Sequence, residues 1–138
     1  MKSVLTVGLA LMVCALVGCG EKGPETAKVT GKVTLADGQP LPGGRVDFHS
    51  PELGMAAGTI NGDGSYEALD VKPGEYKVSI ENTHLKGMNA APVPEGTQAM
   101  PGSDQSYVEI NPKFRNPETS GLTITVGKGE QTFNIELK

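Results

Sequence analysis

Pro73-Gly74-Glu75-Tyr76-Lys77-Val78-Ser79-Ile80 decides how the chain is read. A turn dipeptide is followed by apolar residues at 76, 78 and 80, alternating with polar ones at 75, 77 and 79. Successive side chains of a strand point to opposite faces, so this pattern describes a β-strand with one face on a core and the other in water. The same period returns on both sides. Upstream, Tyr66, Ala68 and Val71 are preceded by Asn61-Gly62-Asp63-Gly64, a turn of the positive-φ kind. Residues 55–60 form a poorer strand rich in Ala and Gly, and Val46 and Phe48 alternate with Arg45, Asp47 and His49. Val29, Gly31, Val33 and Leu35 alternate with Lys28, Thr30, Lys32 and Thr34, before an Asp37-Gly38 turn and two prolines, Pro40 and Pro42, that bar a helix. Downstream, order returns at 107–110, then at Leu122, Ile124 and Val126, and after a turn at 127–131 come Phe133, Ile135 and Leu137. The last two stretches read as a hairpin with its apolar residues on one face.

No segment carries a helical period. Seven or eight short strands with turn signals between them predict an all-β fold, an antiparallel two-sheet sandwich over residues 28–138. Asp63-Gly64 and Pro73-Gly74 have the chemistry of turns that place glycine at positive φ, so Gly64 and Gly74 are expected there. Residues 84–106 are rich in Pro, Gly and Ala and follow neither period. A connection of that length is often functional, so His84, Met88 and Met100 are candidate residues of an interaction loop, with 112–121 as a second contact segment.

Several of these stretches resemble the carboxypeptidase regulatory-like domain. Val29-Thr30-Gly31-Lys32-Val33, then Gly38-Gln39-Pro40-Leu41 and Gly43-Gly44-Arg45-Val46, look like the opening of that family, with Gly44 where the family usually has Ala. Asn61-Gly62-Asp63-Gly64-Ser65-Tyr66 and Leu69-Asp70-Val71-Lys72-Pro73-Gly74-Glu75-Tyr76 resemble two further elements, so the match covers about 29–82. The resemblance implies a prealbumin-like sandwich that serves as an accessory module or as a stand-alone envelope protein. The segment 110–122 is similar to the C-terminal part of small bacterial lipoproteins built on this module.

The N-terminus points the same way. Lys2 gives a short positive region, and residues 4–17 are free of charge. That run is shorter than the ~20 residues needed to span hydrocarbon. It ends in Leu16-Val17-Gly18-Cys19, which resembles the lipobox of bacterial lipoproteins. The resemblance implies that residues 1–18 are a removed signal peptide and that Cys19 becomes the lipidated N-terminus. Residues 19–27 are then a short tether, and the protein is held on a membrane outside the cytoplasm. Gly20, rather than Asp, follows the cysteine, which in that family favours the outer membrane or periplasmic face of a two-membrane cell.

Charge and composition narrow the partners. Twelve basic against sixteen acidic residues give a net charge of −4, scattered without a basic stripe, so nucleic-acid binding is not expected. Three Phe, three Tyr and no Trp leave few platforms for stacking bases or sugars. Cys14 lies within residues 1–18, so after their removal Cys19 is the lone cysteine and no internal disulfide can form.

Reaction chemistry finds little support. The two histidines, His49 and His84, stand far apart and lack the close H-x-H pair of the intradiol dioxygenases, which use a related sandwich. The chain ends Ile135-Glu136-Leu137-Lys138, without the Y-R-G-S ending of transthyretin-like ureide hydrolases. There is no G-x-S-x-G elbow for a serine nucleophile. Asn61, Asp63, Ser65 and Glu67 have the alternation that opens a calcium loop, but Lys72 stands where its bidentate Glu belongs, so they read as a turn. No catalytic residue, metal or cofactor is expected. The expected function is that of a lipid-anchored, non-catalytic structural or binding module of the cell envelope, with envelope proteins as partners. The alternative is a small-ligand carrier or accessory subunit of an envelope transport system.

Overall fold

The structure is a computed structural model and describes residues 25–87 and 105–138. The expected signal peptide, Cys19 with most of its tether, and the loop residues Met88 and Met100 lie outside the described residues. Eight strands are present among those described: β1 (Ala27–Leu35), β2 (Gly44–Ser50), β3 (Gly54–Ile60), β4 (Ser65–Val71), β5 (Gly74–Glu81), β6 (Leu122–Val126), β7 (Gly129–Thr132) and β8 (Ile135–Leu137). The fold is all-β. The alternation at 74–81 places Tyr76, Val78 and Ile80 in the core and leaves Glu75 and Lys77 outside. Gly64 and Gly74 have φ of +81° and +150°, as the turn chemistry predicts.

The strands form one hydrogen-bonded path, β6-β5-β2-β3-β4-β1-β7, with β8 also on β1, that is nearly closed into a barrel. Two features correct the sequence reading. First, the pairing is not antiparallel throughout, because β7 and β8 both run parallel to β1. Second, β6 makes no hairpin with β7 or β8: it pairs with β5, and the chain then crosses to the far end of the path. The crossing covers the outer edge of β1, which would otherwise present unpaired backbone groups. The Gln131 side chain stands in for the missing ladder. Its Nε2 donates to the Thr125 carbonyl and its Oε1 accepts from the Gly127 amide, both at 3.0 Å.

Residues 107–110 are not a strand. The segment 105–120 instead covers the part of β5 that β6 does not reach, with Ile110 and Phe114 in the core. Asn82 Nδ2 donates to the Val108 carbonyl at 2.6 Å, and Ser120 Oγ to the Val78 carbonyl at 2.5 Å. Asn111 caps the 3-10 turn Pro112–Arg115 by accepting from the Lys113 amide. The stems of the long loop are likewise fixed. His84 lies in the 3-10 turn Thr83–Leu85, and Leu85 is buried. On the return, Gln105 Nε2 donates to the Ile60 carbonyl at 2.7 Å and the Ser106 amide to the Pro42 carbonyl at 2.7 Å.

The core centres on Phe48, fully buried between Tyr66 and Tyr76, each ring 6.3 Å away. The Tyr66 hydroxyl donates to the Phe133 carbonyl at 2.6 Å. Burial pushes the Tyr66 phenol well above its usual range. A raised folded-state pKa means that its contribution to stability is complete below about pH 10 and is lost as pH climbs toward the folded value. Stability should therefore fall by about 1.4 kcal/mol per pH unit above about pH 10 on account of this one group. Tyr66→Phe should be less stable at neutral pH by about 1 kcal/mol, through the lost hydrogen bond, yet show a shallower alkaline slope. Denaturant titrations between pH 8 and 11 would measure both; equal slopes would mean that the phenol ionises without opposing the fold.

Candidate functional site

The register of β2 on β5 gathers polar side chains on the outward face of the sheet. Asp47 lies opposite Ser79 and His49 opposite Lys77, while Arg45 lies opposite Glu81. These residues occupy the parity opposite to Val46, Phe48, Val78 and Ile80, so the alternation that builds the core also builds this patch. Asp47 is buried and held by a two-point ion pair: Arg45 Nε lies 2.6 Å from Oδ1 and Nη2 3.0 Å from Oδ2. That contact raises the Arg45 guanidinium further, first through the hydrogen bond and then through the carboxylate charge. His49 Nε2 and Ser79 Oγ share a hydrogen bond of 2.9 Å. Burial alone would raise the Glu81 carboxyl, but hydrogen bonds from the Thr83 hydroxyl and amide, with Arg115 and His84 nearby, leave it below the usual carboxylate range.

A serine, a histidine and an aspartate thus meet on one patch. The distance between Ser79 and His49 is that of a nucleophile and its base. The rest of the geometry does not follow. Asp47 is turned to Arg45, so among the described residues no carboxylate orients the imidazole, and Ser79 is only 3% exposed. What the arrangement does is neutralise the buried Asp47 with Arg45 and pair His49 with Ser79, although Asp47 Oδ1 accepts no hydrogen bond. Nothing in the spacing of 47, 49 and 79 announces this cluster. Their shared outward parity could have been read from the sequence, but the neighbouring of β2 and β5 could not.

One concavity shares His49 and Lys77 with the patch, and a second shares none of its residues. A depression of about 380 Å³ lies over β2, β5 and β6, lined by His49, Pro51, Glu75, Lys77, Thr123 and Thr125. Its one ammonium, Lys77, is already tied to Glu118 at 2.5 Å. A groove of about 490 Å³ runs between β8 and the segment 108–114, floored by Leu35, Val108, Ile110, Phe114 and Leu137, with Asp37, Glu109 and Lys138 among its polar lining. His84, the one loop candidate within the described residues, is exposed and joins neither concavity. No group of three or more His, Cys, Asp or Glu side chains among the described residues could hold a metal ion. At the expected turn over 61–65, Asp63 Oδ1 accepts from the Ser65 amide at 3.0 Å and its hydroxyl at 2.6 Å, while Asn61 Nδ2 donates to the same hydroxyl at 3.1 Å. These contacts make a self-satisfied turn.

Comparison with protein-family models, with curated proteins and with solved structures finds no match to this chain.

The site must therefore be read from its placement. β1 begins at Ala27, opposite Val71 and Gly129, so the N-terminal segment enters where β2–β3, β4–β5 and β6–β7 are joined. Gly87 and Gln105, the stems of the long connection, lie at the other end, beside the ends of β2 and β3 joined to 36–43 and 61–64. At about 3.3 Å per residue, nine-residue β1 separates the two ends by about 30 Å.

Proposed function

We propose that this protein is a lipid-anchored, non-catalytic module of a bacterial cell envelope, held through Cys19 and built as a carboxypeptidase regulatory-like, prealbumin-like sandwich. The observation that carries the reading is Leu16-Val17-Gly18-Cys19, placed eight residues before the first strand. The fold's polarity supports it, since the anchored end and the stems of the long connection are opposite. A membrane-held domain of this kind presents Gly87 and Gln105, the stems of that connection, away from the bilayer, toward partners in the envelope. The buried Ser79 and the diversion of Asp47 to Arg45 support a binding rather than a catalytic role. One observation favours the carrier alternative: the apolar groove of about 490 Å³ falls within the range of small-ligand sites.

The anchor is tested directly. Two or more acyl chains on one residue hold a protein stably, where a single chain binds marginally. The wild-type protein should sediment with membranes, and its N-terminal peptide should carry lipid mass on Cys19. Cys19→Ser should leave the protein soluble or unprocessed. An unmodified Cys19 in the wild type would end this reading. Cross-linking in the intact envelope then separates the two roles: a structural or binding module retains envelope proteins, and a carrier retains small molecules.

A further inference from the structure

We infer that the outward face of β3 and β4 near the anchored end rests on the lipid surface, with Met55 and Leu69 in the headgroup region. This rests on the anchor proposed above. Met55 and Leu69, 65% and 57% exposed, are the large apolar side chains that the described fold leaves in water. Gly58 pairs with Ala68, both inward, so Met55, Ala57 and Leu69 share the opposite, outward face. Both large residues lie close to one end: Met55 is the second residue of β3, and Leu69 is two residues from the end of β4, within about 7 Å of it.

That end is where the tether enters, and it enters beside this face. Ala27 pairs with Val71, and Thr26 Oγ1 donates to Asp70 Oδ1 at 3.5 Å, so the chain reaches the domain next to Leu69. The register of β1 on β4 shifts between Ala27 and Val29, and Asp70 sits at φ +56°, a conformation uncommon outside glycine. A bulge that sets a side chain's direction is held here against its strain, at the residue following Leu69.

The chain outside the described fold fixes the occupant. Six residues, 19–24, separate the fold from its expected anchor and span at most about 21 Å. A domain held so closely meets the bilayer at high effective concentration, so a weak apolar contact is populated. The charges indicate which lipid. Lys128 is paired with Glu25 at 2.5 Å and Lys28 with Glu67 at 2.6 Å, and Glu52, Asp70 and Glu75 stand near the same end. Lys72, exposed in the turn between β4 and β5, has no ion pair among the described residues, but this single ammonium stands among three carboxylates and forms no basic cluster to attract anionic headgroups, so the contact is apolar and the surface zwitterionic.

Oxidation of Met55 by dilute peroxide, followed by peptide mass, reports the contact. With the full-length lipidated protein in phosphatidylcholine vesicles, Met55 should oxidise at least fivefold more slowly than in Cys19→Ser mixed with the same vesicles. Leu69→Asp, at an exposed position, should keep the melting temperature and return the oxidation rate toward that of the unlipidated form. Adding phosphatidylglycerol should not increase the protection. Lipid on Cys19 with an unprotected Met55 would overturn this inference alone, whereas a bare Cys19 would remove the anchor and this contact together. Protection that disappears when the protein is diluted in excess lipid would assign the face to a second copy of the chain and also overturn it.

Discussion

Phe48→Ala should come close to unfolding the domain. Phe48 is fully buried on β2, at the centre of the core, and its ring meets Tyr66 in a tilted contact and Tyr76 edge-on. Removing a buried phenyl costs about 3–5 kcal/mol in lost transfer energy and residual cavity, and the two ring contacts make the upper part of that range the expectation. Domains of this size have only about 5–15 kcal/mol in all. The melting temperature should fall by roughly 15 °C or more. Thr59→Ala, on the outward face of the neighbouring β3, should change stability by less than about 0.5 kcal/mol. If the two variants melt alike, β2 is out of register. A slip of one residue would turn Phe48 outward and bring Asp47 and His49 into the core.

That dependence on parity explains what the sequence made legible. Alternation records burial directly, so β1, β2, β4, β5 and β6 could be placed from residues such as Val29, Phe48, Tyr66, Val78 and Ile124, each of them buried. Gly64 and Gly74 were readable for a separate reason, because their conformations are set within a few residues of sequence. Pairing is another matter. The neighbour of β2 on one side is β5, and β7 belongs to β1 rather than to β6, because the free edge of β1 has to be covered. Such choices depend on which edges remain open after the rest of the sheet has formed, and no local pattern carries that information. Ile110 and Phe114 were hidden for the same reason: they fill the opening beside β5 from a segment with no period of its own. The polar patch combines both cases. The outward parity of Asp47, His49 and Ser79 is written in the sequence, and the Arg45 contact that occupies Asp47 lies within β2 itself, whereas the hydrogen bond between His49 and Ser79 exists only once β2 lies against β5.

The same edge contact makes Gly31, among the described glycines, the one whose added Cβ would meet the closest backbone atom. Gly31 sits within β1, where the alternation simply counts it among the inward residues. A Cβ built there would lie 1.9 Å from the Phe133 carbonyl oxygen, 2.7 Å from its carbon and 2.9 Å from Tyr66 Cε1. The obstruction is backbone, and that backbone is fixed twice, since the Phe133 amide donates to the Thr30 carbonyl and its carbonyl accepts from Tyr66. The Lys32 amide also donates to Asn134 Oδ1 at 3.0 Å, holding the break between β7 and β8 against β1. Gly31→Ala must therefore push 133–134 away from β1, losing these bonds and loosening the parallel edge. Overpacking a core costs about 1–3 kcal/mol, and each broken hydrogen bond adds about 1 kcal/mol. A loss of roughly 3–5 kcal/mol is expected from these two costs together, with hydrogen exchange quickening first at the amides of 129–137. Gly127→Ala is the control, because a Cβ there meets only Gln131 Oε1 at 3.9 Å and should leave stability within about 1 kcal/mol of wild type. Should Gly31→Ala melt with the control, the carboxyl-terminal strands cannot pack against β1 as described, and the near-closure of the sheet fails with them.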